Sequence, residues 1–457
     1  MQTSNIPSKH GMRITSIFLV TLLFIGLLPL NLQGQPADSP NIIFILVDDH
    51  RWDALSILDH PMVQTPNLDR LCQEGVRFEN AFVTTSLCSP SRASFLTGQY
   101  ARTHGVQNNL TPWNNNNRTF FEQLKADGYD TAFIGKWHMP GNLPQLKGVD
   151  RFITFTVQGG QGRYFDCPLI IDGVETPSRK HYITEELTDY AIEFVERKRN
   201  TPFCLYLSHK AVHHQFLPPP HIAGMYKKKA VPMPPEADNW VSWNLDHLYC
   251  GLIGPLKRTY RNYMEALHAT DLEIGRLLDR LDSLGMSDNT IIIYWGDNGF
   301  FFGEHRLMDK RWPYEESIRV PCIIRDPRHR ETAGKAAPQM VLNIDVAPTI
   351  LEMAGLSPLP GMTGKSMLPF LSNVSLPGRD AWLYEYFQDF PYRVPNTQAV
   401  RTSRYKYVEY QGRRPDELFD LQKDPKEQHN LMGTAQANQL LPELRARLEA
   451  LRQEVDR

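Results

Sequence analysis

A chain of 457 residues, 41% hydrophobic and 22% charged, has the composition of an ordinary globular protein and enough length for one large domain and a smaller one. A formal net charge of -2 excludes a global pull toward nucleic acid, so any anion selectivity comes from a local site. The six cysteines (Cys72, Cys88, Cys167, Cys204, Cys250 and Cys322) form no Cys-x-x-Cys pair, which disfavours a zinc knuckle or a redox motif and leaves any disulfide connectivity open.

In chain order, the first expectation is an address. Lys9 and Arg13 precede an apolar run from Ile14 to Leu30, and small and polar residues follow through Gly34-Gln35-Pro36-Ala37. This pattern predicts a secretory signal peptide over 1–34, removed after Gly34, and an exported protein, periplasmic or extracellular. The alternative is an uncleaved anchor, but the run is short for a span and contains Thr15, Ser16, Thr21 and Pro29. No cysteine sits near the cleavage region to carry a lipid, and no later apolar stretch is long enough to cross a membrane. The mature chain is therefore expected to have no stable membrane insertion.

Continuous apolar runs at Asn41–Val47, Thr131–Gly135, Phe203–Ser208 and Thr290–Trp295 read as strands buried on both faces. Helical patterns lie between them. Thr184–Lys198 is one, and Arg261–Leu284 is another, with Leu267, Ile274, Leu277, Leu278 and Leu281 at helical spacing and Gly285 as its stop. The alternation predicts an α/β fold with a large, mostly parallel sheet flanked by helices.

The residues just beyond each strand carry the chemistry. Asp48-Asp49-His50 stands after the first and Lys136-Trp137-His138 after the second. His209, Lys210, His213 and His214 come after the third, and Asp297-Asn298 after the fourth. Ligands of open α/β sheets bind beyond the carboxyl ends of the strands, so four strands deliver carboxylates, lysines and histidines to one edge. Asp48, Asp49, Asp297 and Asn298 all offer oxygen, the donor set of a hard divalent cation such as calcium or magnesium. Taken alone, Asp-Asp also fits solvated loop carboxylates or a helix N-cap.

The segment Cys88-Ser89-Pro90-Ser91-Arg92, continued by Leu96-Thr97-Gly98, resembles the Cys-x-Pro-Ser-Arg signature of the type I, formylglycine-dependent sulfatases of the alkaline phosphatase superfamily. The resemblance extends through Asp48-Asp49, Gly135-Lys136-Trp137-His138, Gly296-Asp297-Asn298-Gly299, Gly303-Glu304-His305 with Lys310, and Tyr314-Glu315-Glu316-Ser317. Toward the C-terminus it includes Tyr405-Lys406-Tyr407 and Glu417-Leu418-Phe419-Asp420. An ordinary buried thiol, or the nucleophile of a Cys/His protease, gives Pro90 and Arg92 no role.

The resemblance implies that Cys88 is oxidised to Cα-formylglycine by a maturation enzyme and that one calcium ion is held by Asp48, Asp49, Cys88, Asp297 and Asn298. It implies that Arg92 orients the hydrated aldehyde, that Lys136 and Lys310 hold sulfate oxygens, and that His138 removes a proton when sulfate is released. A further histidine protonates the leaving alcohol. The family pattern Ala-Pro-His is replaced here by Ala211-Val212-His213-His214, which assigns His213 by register and leaves His209 and His214 open.

Beyond Pro358 the pattern becomes turn-rich, with short apolar alternations such as Trp382-Leu383-Tyr384 and a charged helix over Ala435–Arg457. The expected division is a catalytic domain over 38–375 and a small α+β subdomain over 376–457. The overall texture is similar to N-acetylglucosamine-6-sulfatase-like members, which implies a sulfated carbohydrate substrate, of glycosaminoglycan, mucin or algal type. Trp113, Trp240 and Trp243 are candidates for stacking on sugar rings, and Asn109, Asn117 and Asn373 lie in glycosylation sequons. Two other functions stay open on sequence: a phosphodiester or phosphonate monoester hydrolase, and a non-catalytic, metal-dependent glycan-binding protein with unmodified Cys88.

Overall fold

The computed structural model describes residues 39–141, 143, 146–239 and 256–456. The expected signal peptide, Trp240, Trp243 and Cys250 lie outside the described residues. Among those described, no helix is long and apolar enough to cross a membrane.

The strands are β1 (Asn41–Val47), β2 (Val76–Phe82), β3 (Asp130–Gly135), β4 (Arg151–Thr154), β5 (Leu169–Ile171), β6 (Val174–Thr176), β7 (Phe203–Ser208) and β8 (Thr290–Gly296). A hairpin of β9 (Phe301–Phe302) and β10 (Met308–Asp309) comes next, then β11 (Cys322–Arg325) and β12 (Ala336–Leu342). Ten of these form one sheet in the order β12-β2-β11-β8-β1-β7-β3-β4-β5-β6. The central ladder β8-β1-β7-β3 is parallel, and β11 enters antiparallel between β8 and β2, so the sheet is mixed but mostly parallel.

β1 is central, and its alternation divides the core. Ile43, Ile45 and Val47 pack with Leu187, Phe194, Leu267, Leu277 and Leu281 from the helices Ile183–Val195 and Leu256–Ser283. Ile42, Phe44 and Leu46 pack with Phe95, Leu96, Phe120, Leu124 and Ile350 from the helices Cys88–Thr97, Phe120–Ala126 and Val346–Met353 on the other face. Both faces of the strand are thus covered by helices, which is why β1 reads as unbroken apolar sequence.

The C-terminal part is a four-stranded antiparallel sheet, β13 (Ala381–Tyr386), β14 (Thr397–Thr402), β15 (Tyr405–Tyr410) and β16 (Glu417–Asp420). The helix Ala435–Val455 packs on it, its start capped by the Thr434 hydroxyl, which accepts the Ala437 N–H at 3.1 Å. A third core joins this sheet to the main one, with Trp382, Leu383 and Val400 against Phe82, Leu87 and Phe301. Buried Lys406 bridges the two parts, reaching Glu427 at 2.5 Å and Glu315 at 3.3 Å.

Candidate active site

The parallel ladder sets the neighbours. Val47 pairs with Gly296, and Leu46 and Gly135 both pair with Ser208. The next residues on the four strands therefore emerge side by side. The Asp297 N–H donates to Val47 O at 3.1 Å, and the Asp49 N–H to Asp297 Oδ1 at 2.9 Å. Asp49 has a left-handed backbone (φ 55°), which turns its carboxylate back over the sheet edge. Gly135 stands at φ +120° where an added Cβ would meet Ser208 O at 1.8 Å, so only glycine lets β3 deliver Lys136 at this point.

Cys88 is the first residue of a helix that ends at Gly98, and all ten residues Cys88–Thr97 are buried. Its side chain meets the sheet edge at the helix N-terminus, an environment suited to negative charge. The Ser89 N–H donates to Asn109 Oδ1 at 3.0 Å, so the first asparagine of the sequons is committed to holding this helix end. Arg92, one turn on, donates from Nη1 to Lys136 O at 3.0 Å and Ser208 Oγ at 2.6 Å. Its Nη2 stands 2.7 Å from Asp297 Oδ2 and 3.3 Å from Asp48 Oδ2. The guanidinium thus braces two carboxylates beside Cys88.

Two lysines flank the sulfur. Lys310, on the turn after β10, places Nζ 3.0 Å from Cys88 Sγ and pairs with Asp49. Lys136 places Nζ 3.9 Å from the sulfur and pairs with Asp48. Burial alone raises a carboxyl pKa, but Lys136, Arg92 and Lys310 outweigh it at Asp48 and hold that group well below the usual range. At Asp49 burial prevails, with Asp48 and Asp297 adding repulsion against the pull of Lys310, and pushes the group up to about 7. Burial also pushes the Cys88 thiol up to about 12, so as a thiol it stays protonated and weakly nucleophilic.

The histidines separate by position. His213 is close enough for its ring nitrogen to share one cluster, within 4.8 Å, with Cys88 Sγ and an Asp48 oxygen, and its Nε2 lies 4.0 Å from Asp49 Oδ2. His138 also faces the cleft, its Nε2 2.6 Å from Gln161 Nε2. Burial, followed by the field of Lys136, pushes both imidazoles well below their ordinary pKa. His214 lines the cleft farther out, whereas His209 is fully buried and is not among the lining residues. Geometry therefore favours His213 among the three candidates left open by the sequence.

The cleft lined by His138, His213 and Lys310 has a volume of about 430 Å³. Besides the histidines and Lys310 it is lined by Gln161, Lys210, Arg311, Asp389 and Tyr392, none of which sequence reasoning had assigned. Gln161 lies in the glycine-rich stretch Gln158-Gly159-Gly160-Gln161-Gly162, a turn signal with no chemistry attached. Trp113 does not line the cleft; its ring packs edge-on against Trp137 at 5.4 Å.

A hard cation fits the donor set. Asp48, Asp49 and Asp297 each bring a carboxylate oxygen within 4.8 Å of the others. Asp49 Oδ2 and Asn298 Oδ1 are buried acceptors without a hydrogen-bond partner. Crowded carboxylates with unused oxygens gain from a divalent ion, and the oxygens of Asp48, Asp49, Asp297 and Asn298 are a donor set that suits a hard cation.

A buried cysteine between two lysines, beside a cluster of oxygen donors that could hold a cation at the edge of an α/β sheet, is an arrangement suited to the hydrolysis of anionic esters. The description Sulfatase matches over residues 40–356, and N-sulphoglucosamine sulphohydrolase, C-terminal, over residues 303–454. The N-acetylglucosamine-6-O-sulfatase of Bacteroides thetaiotaomicron is 32% identical, covering 92% of this chain and 87% of its own. The ulvan-active sulfatase of Formosa agariphila is 29% identical over 91% of this chain and 81% of its own. A solved structure of a protein bound to its substrate, D-glucosamine-2-N,6-O-disulfate, superposes with a TM-score of 0.84 at 30% identity, covering 92% of this chain and 98% of that one. The chain belongs to the sulfatase family, and its fold is that of the alkaline-phosphatase-like sulfatases.

Proposed function

We propose that this sulfatase removes sulfate from a sulfated carbohydrate, with Cys88 matured to formylglycine and calcium held by Asp48, Asp49, Asp297, Asn298 and the modified residue 88. The observation that carries the reading is the position of residue 88, between Lys310 and Lys136 and beside three carboxylates. The substrate class follows from relatives named for 6-O-sulfated glucosamine and for ulvan. The charged, then apolar, segment at Lys9–Leu30 supports export to where such glycans occur.

A formylglycine supplies a hydrated aldehyde, with one hydroxyl to attack sulfur and a second whose deprotonation releases sulfate. Calcium, if held by Asp48, Asp49, Asp297, Asn298 and the modified residue 88, would supply a compact double charge that stabilises negative oxygens. The protein's own groups do the rest. Lys310 and Lys136 hold the sulfate oxygens as the negative charge moves toward the leaving alcohol. Arg92 keeps Asp48 and Asp297 at fixed spacing. His213, facing the cleft, protonates the departing oxygen; the sulfate's negative charge offsets the surrounding lysines and restores proton affinity to its ring. His138, fixed by Gln161, takes the proton whose loss frees sulfate.

The test is a desulfation screen on defined sulfated mono- and disaccharides, using protein co-expressed with a maturation enzyme, alongside a matched phosphodiester. Peptide mass spectrometry of the same preparation is expected to show formylglycine at position 88. Full activity with an intact Cys88 thiol refutes the nucleophile, and turnover confined to the phosphodiester refutes the substrate class.

A further inference from the structure

Lys210 is a buried cation for which the chemistry above has no use. It stands two residues beyond β7, is 1% exposed, and lines the cleft with His138, Gln161 and His213. Its amine stands 4.7 Å from the centroid of the Tyr164 ring. It forms no ion pair among the described residues, because the acids nearest to it are engaged elsewhere: Asp48 by Lys136 and Arg92, Asp49 by Lys310. Tyr164 is itself fixed, its hydroxyl donating to His213 O at 2.8 Å. An aromatic face is a weak substitute for a carboxylate, and a buried ammonium without an anion is costly. Burial, followed by the field of Lys136, pushes Lys210 down to about 7. A cleft-lining amine in that condition gains its charge fully when a ligand brings an anion to it.

The reacting sulfate is already served by Lys136 and Lys310, which flank Cys88. The anion for Lys210 is therefore a different one. We infer that Lys210 receives a second anionic substituent of the substrate, a sulfate or carboxylate on the desulfated sugar or on the ring next to it. The inference rests on the carbohydrate reading above, and makes the protein selective for densely charged glycans over singly sulfated ones.

The experiment compares kcat/KM for pairs of sugar sulfates that differ in one anion. One pair is glucosamine 6-sulfate carrying either N-acetyl or N-sulfate. The other is a 6-sulfated disaccharide whose neighbouring ring is a uronic acid or the corresponding neutral hexose. Matured wild-type protein is expected to prefer the doubly anionic member of at least one pair by about tenfold or more, the scale of a hydrogen bond to a charged group in a desolvated site. Which pair shows it separates sulfate on the same ring from carboxylate on the next. Lys210→Met is expected to bring that ratio close to one, and Lys210→Arg to retain most of it. Lys210→Gln serves as a second neutral variant, with thermal unfolding confirming that each is folded. A wild-type ratio near one in both pairs overturns the inference, as does a ratio that survives Lys210→Met or Lys210→Gln. If an aryl sulfate is cleaved but no sugar sulfate is, the carbohydrate reading itself fails, and the assignment of Lys210 fails with it.

Discussion

Lys310 Nζ lies 3.0 Å from Cys88 Sγ, although the two residues are separated by 222 positions and Lys310 sits on a hairpin outside the main sheet. The same amine pairs with Asp49. Burial disfavours its charge, but the field of Asp49, with Asp48 behind it, outweighs that and holds its pKa well above the ordinary lysine value. Replacing Lys310 with Met is expected to lower kcat/KM by about 10²–10³ on aryl and sugar sulfates alike, since it removes a preorganised charge aimed at the reacting group. Steady-state kinetics on both substrates decide it, and a loss limited to sugars contradicts the role.

Asp297 joins three parts of the site: it accepts from the Asp49 N–H, pairs with Arg92, and offers an oxygen to the cation cluster. Asp297→Ala is expected to abolish metal binding and activity together. Chelation of the unaltered protein is expected to lower both activity and thermal unfolding temperature, with recovery on adding calcium, because an ion bound only by the folded state stabilises it. Elemental analysis with an unfolding scan reads both effects. Undiminished turnover after chelation rules the metal out.

The two cleft histidines are distinguished by leaving group. General acid help is worth about 10²–10⁴ in rate and matters most for a poor leaving group such as a sugar hydroxyl. His213→Ala is expected to damage sugar sulfate hydrolysis far more than hydrolysis of an activated aryl sulfate. His138→Ala is expected to slow both and to let sulfated enzyme accumulate, visible in the intact mass. Equal losses on both substrates for His213→Ala transfer the acid role to His214, the other open candidate that lines the cleft.

Acid sensitivity is expected from two histidines outside the cleft, His60 and His104, the latter packed against the helix Cys88–Thr97 through Ser94. Burial pushes His104 down to about 3 and His60 to about 4, both from 6.5. Their folded-state values lie below the unfolded ones, so the unfolded chain binds more protons below pH 6.5. Their contribution to stability is complete above about pH 6.5 and is lost as pH falls toward 4. Urea midpoints measured from pH 7.5 to 4.5 are expected to decline across that window; a flat profile counts against the neutral, buried state of these rings.

Much of the site was legible because its donors stand at the ends of strands that are buried on both faces. Asn41–Val47 and Thr290–Gly296 are nearly pure apolar sequence, and Asp48 and Asp297 stand immediately beyond them. β2 was not legible: Val76–Phe82 interleaves Arg77, Glu79 and Asn80, which are only half-buried. β11, at four residues, is too short to show a period. Lys310 lies beyond no main-sheet strand and was found through family resemblance alone. Arg92 was found, but its partners were not, because which atoms a guanidinium meets depends on Ser208, Asp48 and Asp297 converging from three strands. Lys210 was seen as one of a cluster, but that it has no ion-pair partner among the described residues is visible only in three dimensions.

If residue 88 is matured as proposed, the burial of the whole helix Cys88–Thr97 sets the time at which that step can occur. Cys88 and Arg92 are at most 2% exposed and Pro90 is buried with them, sealed under the sheet edge and the asparagine that holds Ser89. A second enzyme that must grip this segment and oxidise its sulfur has no access once the sheet has closed. Under the proposed maturation of residue 88, modification and folding would compete for the same polypeptide, and the faster of the two would decide the fraction of active molecules. Overexpression, which outruns a limited supply of the modifying enzyme, is expected to yield well-folded protein that is permanently inactive.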